Sequence, residues 1–121
     1  MNRAALTLVA CLFALNTAVA QKPPVRVVES AGEYLLSHLD LPSSASGSLA
    51  LKPCAACATQ SLNVTPATEY NVNGSRLTLA DFAAVVADLR QRNADERTLV
   101  GMFVDRASHN VTRIYLYKPA Q

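Results

Sequence analysis

The residues with the clearest chemical potential are Cys54 and Cys57, set in Pro53-Cys54-Ala55-Ala56-Cys57-Ala58. A two-residue gap between cysteines suits three chemistries: a structural disulfide, a thiol redox centre, or one half of a zinc site. Redox catalysis of the thioredoxin kind needs its first thiol at a helix N-terminus, where the backbone dipole lowers the thiol pKa. Here Pro53 precedes the pair, Thr59-Gln60-Ser61-Leu62 leads on into a strand pattern, and no parallel βαβ layout surrounds it. Zinc needs further ligands, and the candidates, His38 and His109, stand singly in separate segments instead of forming a second close pair. Haem attachment needs a histidine directly after the second cysteine, and that position is Ala58. Cys54 and Cys57 therefore read as a disulfide clip on a turn, with thiol redox or metal binding by the same two residues as the alternative. No cofactor is expected.

The compartment supports that reading. Arg3, the apolar run Ala4 to Leu15 and the small-residue site Ala18-Val19-Ala20 form a signal-peptide pattern over residues 1–20, so an exported protein, periplasmic or secreted, is expected to begin at Gln21. Asn16 and Thr17 interrupt the run, which falls short of the roughly 20 apolar residues that cross a bilayer. Cys11 leaves with the signal, and no membrane span is expected afterwards. Of the 11 basic side chains only Arg3 lies in this leader and none of the 9 acidic ones does, so the mature chain carries a net charge of +1. The basic residues are also scattered: Arg90, Arg92 and Arg97 are interleaved with Asp88, Asp95 and Glu96, which makes a solvated face and not a phosphate track. No nucleic-acid partner is expected.

Motifs for hydrolysis are missing: there is no Gly-x-Ser-x-Gly elbow, no His-Glu-x-x-His and no Gly-rich phosphate loop. Asp40 near His38 and Asp105 near His109 read as polar loop residues. Asn63, Asn73 and Asn110 begin glycosylation acceptor patterns, which have meaning only in a eukaryotic secretory pathway.

The elements that would position these residues follow from periodicity. Residues 21–47 read as an N-terminal arm, with Pro23-Pro24 near its start, a short helix over Ala31 to Leu39 and a Ser/Gly linker from Pro42 to Ser48. Residues 48–118 read as a single β-rich domain. Leu49 and Leu51, then Leu62 and Val64, alternate as two half-buried strands joined through the cysteine segment. Glu69 to Val72 leads into Asn73-Gly74, a hairpin signal because both residues accept positive φ, and Ser75 to Thr78 returns. Thr78 reads as a helix N-cap, followed by Leu79, Phe82, Ala83, Val86 and Leu89 at helical spacing. Thr98 to Val104 and Val111 to Tyr117 are the last two strands, and Pro119 blocks further pairing.

About six strands with one covering helix make a mainly β domain, a small bent sheet or partly closed barrel. The stretch from Thr68 to Asp81, together with Val111-Thr112-Arg113-Ile114, resembles bacterial exported small-barrel domains of the OB-like kind over about residues 47–117. That resemblance implies a fold and carries no catalytic residue with it; Cys54 and Cys57 lie outside its pattern. OB-like sheets bind through aromatic and basic faces, and the last strand offers such a face in Arg113, Tyr115 and Tyr117. The expected function is a non-enzymatic binding or structural module of the cell envelope, with a protein or another envelope component as partner.

Overall fold

The computed structural model of the chain describes residues 20–24 and 28–119; apart from Ala20, the expected signal peptide lies outside them. Strands β1 (Glu29–Leu35), β2 (Leu39–Asp40), β3 (Ser48–Leu51), β4 (Gln60–Val72), β5 (Ser75–Leu77), β6 (Leu99–Asp105) and β7 (Asn110–Tyr117) form one sheet, with helix α1 (Leu79–Gln91) between β5 and β6. Six strands follow a single path, β1-β6-β7-β4-β3-β2, and β5 flanks β4 beside it. The β4–β7 ladder is parallel and the other ladders are antiparallel.

The two ends of that path, β1 and β2, are joined only by the 3-10 turn Leu36–His38. In a flat sheet they would lie five strand spacings apart, about 24 Å. The four Cα steps from Leu35 to Leu39 reach at most about 14 Å. The sheet therefore has to curl, and it forms an open half-barrel with one helix, as the sequence pattern leads one to expect of a mainly β chain.

Helix α1 closes one part of the concave side. The Thr78 hydroxyl accepts the Asp81 N–H at 3.1 Å, which satisfies one of the donors that every helix start leaves free. Phe82, Val86 and Leu89 then turn a buried stripe into the sheet, where Phe82 meets Tyr70 with ring centroids 5.3 Å apart. At the far end of the helix, Arg90 Nη2 donates to the Leu39 carbonyl at 2.5 Å and ties α1 to β2. Leu36, Leu39, Leu49, Val100, Met102 and Ile114 complete the heart of the core.

Two expectations need correction. The segment from Ala31 to Leu39 is not a helix: it forms most of β1, the 3-10 turn and the start of β2, so part of the expected arm is built into the sheet. Leu35, Leu36 and Leu39 also fit the stripe of a helix, but β1 pairs along its whole length with β6, which takes up the backbone groups of alternate residues instead. The runs around Leu62–Val64 and Glu69–Val72 are likewise one 13-residue strand, β4, with an irregularity against β7 between Val64 and Glu69. Among the described residues, no helix is long and apolar enough to cross a membrane.

Candidate binding surface

Strand alternation divides the sheet into a concave face and an outer face. On β7, Ile114 and Leu116 are buried on the concave side, while Arg113, Tyr115 and Tyr117 project outward as a set. Pairing places Phe103 opposite Arg113, Gly101 opposite Tyr115 and Leu99 opposite Tyr117, so β6 contributes its own outward row beside that of β7. Strand β1 adds a third row, with Ala31 opposite Phe103 and Glu33 opposite Gly101.

The three predicted residues have different environments on this face. Arg113 is occupied: its Nη2 donates to Glu29 Oε2 at 2.5 Å, and its guanidinium lies over the Phe103 ring, 4.3 Å from the centroid. The other oxygen of Glu29 accepts the Thr112 hydroxyl at 2.6 Å. Both charges are thus held by partners across β1 and β7. Tyr115 packs edge-on to Phe103, with centroids 5.7 Å apart, and is half-buried. Tyr117 is 52% exposed and its cross-strand neighbour Leu99 is 45% exposed, a pair of large apolar groups open to water. Between these rows, Gly101 forms part of a shallow groove of about 320 Å³ walled by Phe103, Tyr117, Ala31 and Glu33.

Phe103, Leu99, Glu29 and Glu33 are members of this surface that the sequence reading did not single out. Thr98 to Val104 has apolar residues at nearly every position, so period-two alternation does not show in it, and the outward placing of Leu99 and Phe103 is set by the register against Tyr117 and Arg113 of β7. Glu29 and Glu33 join this surface because β1 is a strand paired with β6. By contrast, the outward positions where β3 pairs with β4 are Ser48, Ala50, Ser61 and Asn63, without an aromatic ring or a charge; farther along β4, Glu69 lies opposite Arg113 and is paired with Arg76 at 3.1 Å.

The cysteine pair occupies a different region. Cys54 and Cys57 are at disulfide distance in the loop between β3 and β4, with Cα atoms 4.9 Å apart, and the Cys57 N–H donates to the Cys54 carbonyl at 3.1 Å. The loop leads directly into β4, so no helix N-terminus stands behind either sulfur. His38 borders a small cleft with Lys52, Asp40 and Thr59. Among the described residues, no three His, Cys, Asp or Glu side chains come together as metal ligands, and neither His38 nor His109 joins the pair.

The turn from β6 to β7 brings Asp105, Ser108 and His109 close in sequence, but in a different arrangement from a nucleophile relay. Asp105 Oδ2 accepts both the Ser108 hydroxyl and the Ser108 N–H, each at 2.7 Å, so the serine is held directly by the carboxylate without a histidine between them. These bonds lower the Asp105 pKa, led by the Ser108 hydroxyl. His109 adopts φ 58°, a left-handed conformation that closes the turn.

Comparison of the chain with models of protein families, with curated proteins and with solved structures finds no match.

Proposed function

We propose that this protein is an exported, non-enzymatic binding module of the bacterial cell envelope, which holds a protein partner against the outer face of β1, β6 and β7. The observation that carries the reading is the exposure of Tyr117 and Leu99 beside Phe103 and the Gly101 groove, on a face where Arg113 is already neutralised by Glu29. Large apolar side chains left in water next to a polar rim mark contact sites, and tyrosine is prominent among residues that anchor protein interfaces. The signal-peptide pattern supports export, and the paired cysteines suit an oxidising compartment. The alternative, a thiol redox role, has the exposure of Cys54 in its favour but no helix dipole to activate the sulfur.

The test is site-specific photocrosslinking from position 117 in the native host. One discrete protein adduct is expected, unchanged when Cys54 and Cys57 are both replaced by Ser. Leu99→Glu should weaken it by about tenfold or more, the scale of an interface anchor. No adduct, or an adduct that disappears with the cysteines, overturns the reading, and the second result points to thiol exchange.

A further inference from the structure

Among the described residues, β1 is paired on one side only, with β6. Its hydrogen bonds fix which backbone groups are left over. The Leu36 N–H donates to the Thr98 carbonyl, and the Val28 carbonyl accepts the Arg106 N–H, each at 2.9 Å. In an antiparallel ladder residues alternate in the side to which they turn both N–H and C=O, so the even-numbered positions between Val28 and Leu36 face β6. Ala31 and Glu33 therefore turn their backbone groups to the free edge.

Two hollows flank that edge. On the concave side lies a cavity of about 280 Å³ with Tyr34, Leu62, Met102 and Val104 in its wall; on the outer side lies the Gly101 groove. Ala31 and Gly32 border both, so the β1 backbone is the ridge between them. The hollows differ in character: the inner one sets Leu62, Met102 and Val104 beside the uncharged polar groups of Ser30 and Gln60 and the His109 ring, and the outer one carries the Glu33 carboxylate. Glu29 is taken up by Arg113 and Thr112, but Glu33 is exposed and makes no ion pair among the described residues. The edge has seven residues and neither lysine nor proline, and with Glu29 paired its guard is the single Glu33 charge, which a basic segment would neutralise.

We infer that β1 accepts an extended segment of a partner protein as an added strand, with basic residues turned outward to Glu33 and apolar residues turned inward to Leu62, Met102 and Val104. Strand addition of this kind takes affinity from main-chain hydrogen bonds and specificity from pockets for alternate side chains, which is what a free edge between two unlike hollows provides. The inference rests on the protein being a binding module and specifies how the partner is held.

The test uses the mature chain and three seven-residue peptides: alternating Lys and Val, alternating Glu and Val, and the Lys–Val peptide with N-methyl groups on its pairing amides. Addition of the Lys–Val peptide should slow hydrogen exchange at the Ala31 and Glu33 amides at least tenfold. The other two peptides should bind at least tenfold more weakly, and Glu33→Lys should reverse the preference between Lys and Glu. The inference fails if the Ala31 and Glu33 amides of the free protein already exchange as slowly as that of Gly32, which would mean that the edge is filled by this chain or a second copy. It also fails if the Lys–Val peptide leaves those amides unchanged. A peptide that perturbs Tyr117 and Leu99 alone sinks the added strand and leaves the outer-face reading standing; protection at Ala31 and Glu33 without any crosslink from position 117 does the reverse.

Discussion

Tyr70 buries its ring against Phe82, yet its hydroxyl has no hydrogen-bond partner among the described residues. An orphaned buried hydroxyl costs free energy, so the ring and its oxygen act in opposite directions. Tyr70→Phe keeps the ring and removes the orphan. It should be neutral or stabilising by up to about 1 kcal/mol at pH 7, measured by urea unfolding. Burial also raises the Tyr70 pKa above its ordinary value. The fold therefore holds the neutral phenol: this contribution is complete below the unfolded-state value of about 10 and is lost as pH rises through the folded one. The Phe variant should lose less stability than the parent between pH 9 and about pH 11, a window set by that unfolded-state value. A loss of more than about 1 kcal/mol at pH 7 would mean that the hydroxyl is satisfied after all.

At the scale of elements, Thr68 shows how the irregular stretch of β4 is kept in register. Its hydroxyl accepts the Thr65 N–H at 3.0 Å and donates to the Val111 carbonyl at 2.7 Å, bridging the gap where the β4–β7 ladder shifts. Thr68→Val preserves shape and strips both bonds, leaving the Val111 carbonyl without this partner in a buried setting. The expected cost is about 1–3 kcal/mol in urea unfolding, well above that of an exposed Thr→Val change. A cost below about 0.5 kcal/mol, the usual size of a surface effect, would show that the bridge does not hold the register. The same strand marks the limit of what the sequence made legible. Signals complete within a few residues were readable: the Asn73-Gly74 turn has both residues at positive φ, Thr78 caps α1, and Phe82, Val86 and Leu89 form its buried stripe. Signals that depend on a distant partner were not. The strand signals stop at Val64 and resume at Glu69, because the bond that carries the strand across this stretch is one that Thr68 donates to the distant Val111 carbonyl. Leu35, Leu36 and Leu39 looked helical because their spacing suits a helix stripe as well as a strand that turns and restarts. The outward face of β7 was readable from its own alternation, whereas the groove beside it needed β1 and β6 in place.

The whole molecule is organised around its last strand. β7 lies between β6 and β4 in the sheet, so it alone links the β1–β6 pair to the β4–β3–β2 side along the strand path. Its ladder with β4, and that of β1 with β6, span long stretches of chain: Ser30 meets Val104 across 74 positions and Thr68 meets Val111 across 43. Closing such loops costs entropy before the contacts repay it, and a parallel β4–β7 ladder cannot form as a local hairpin. Refolding from urea should accordingly take milliseconds to seconds, in the range of other domains built on non-local pairing. The same topology makes the C-terminal strand indispensable, unlike most chain ends. A chain stopped after Asn110 keeps every residue of β1 to β6 and α1, but it loses the strand against which both halves of the sheet pair, and with it the buried Val111, Ile114 and Leu116. It should show no cooperative urea transition by circular dichroism. A truncated chain that still unfolds in one sharp step, or an intact chain that refolds in microseconds, would mean that the two halves are stable independently and that β7 joins them late.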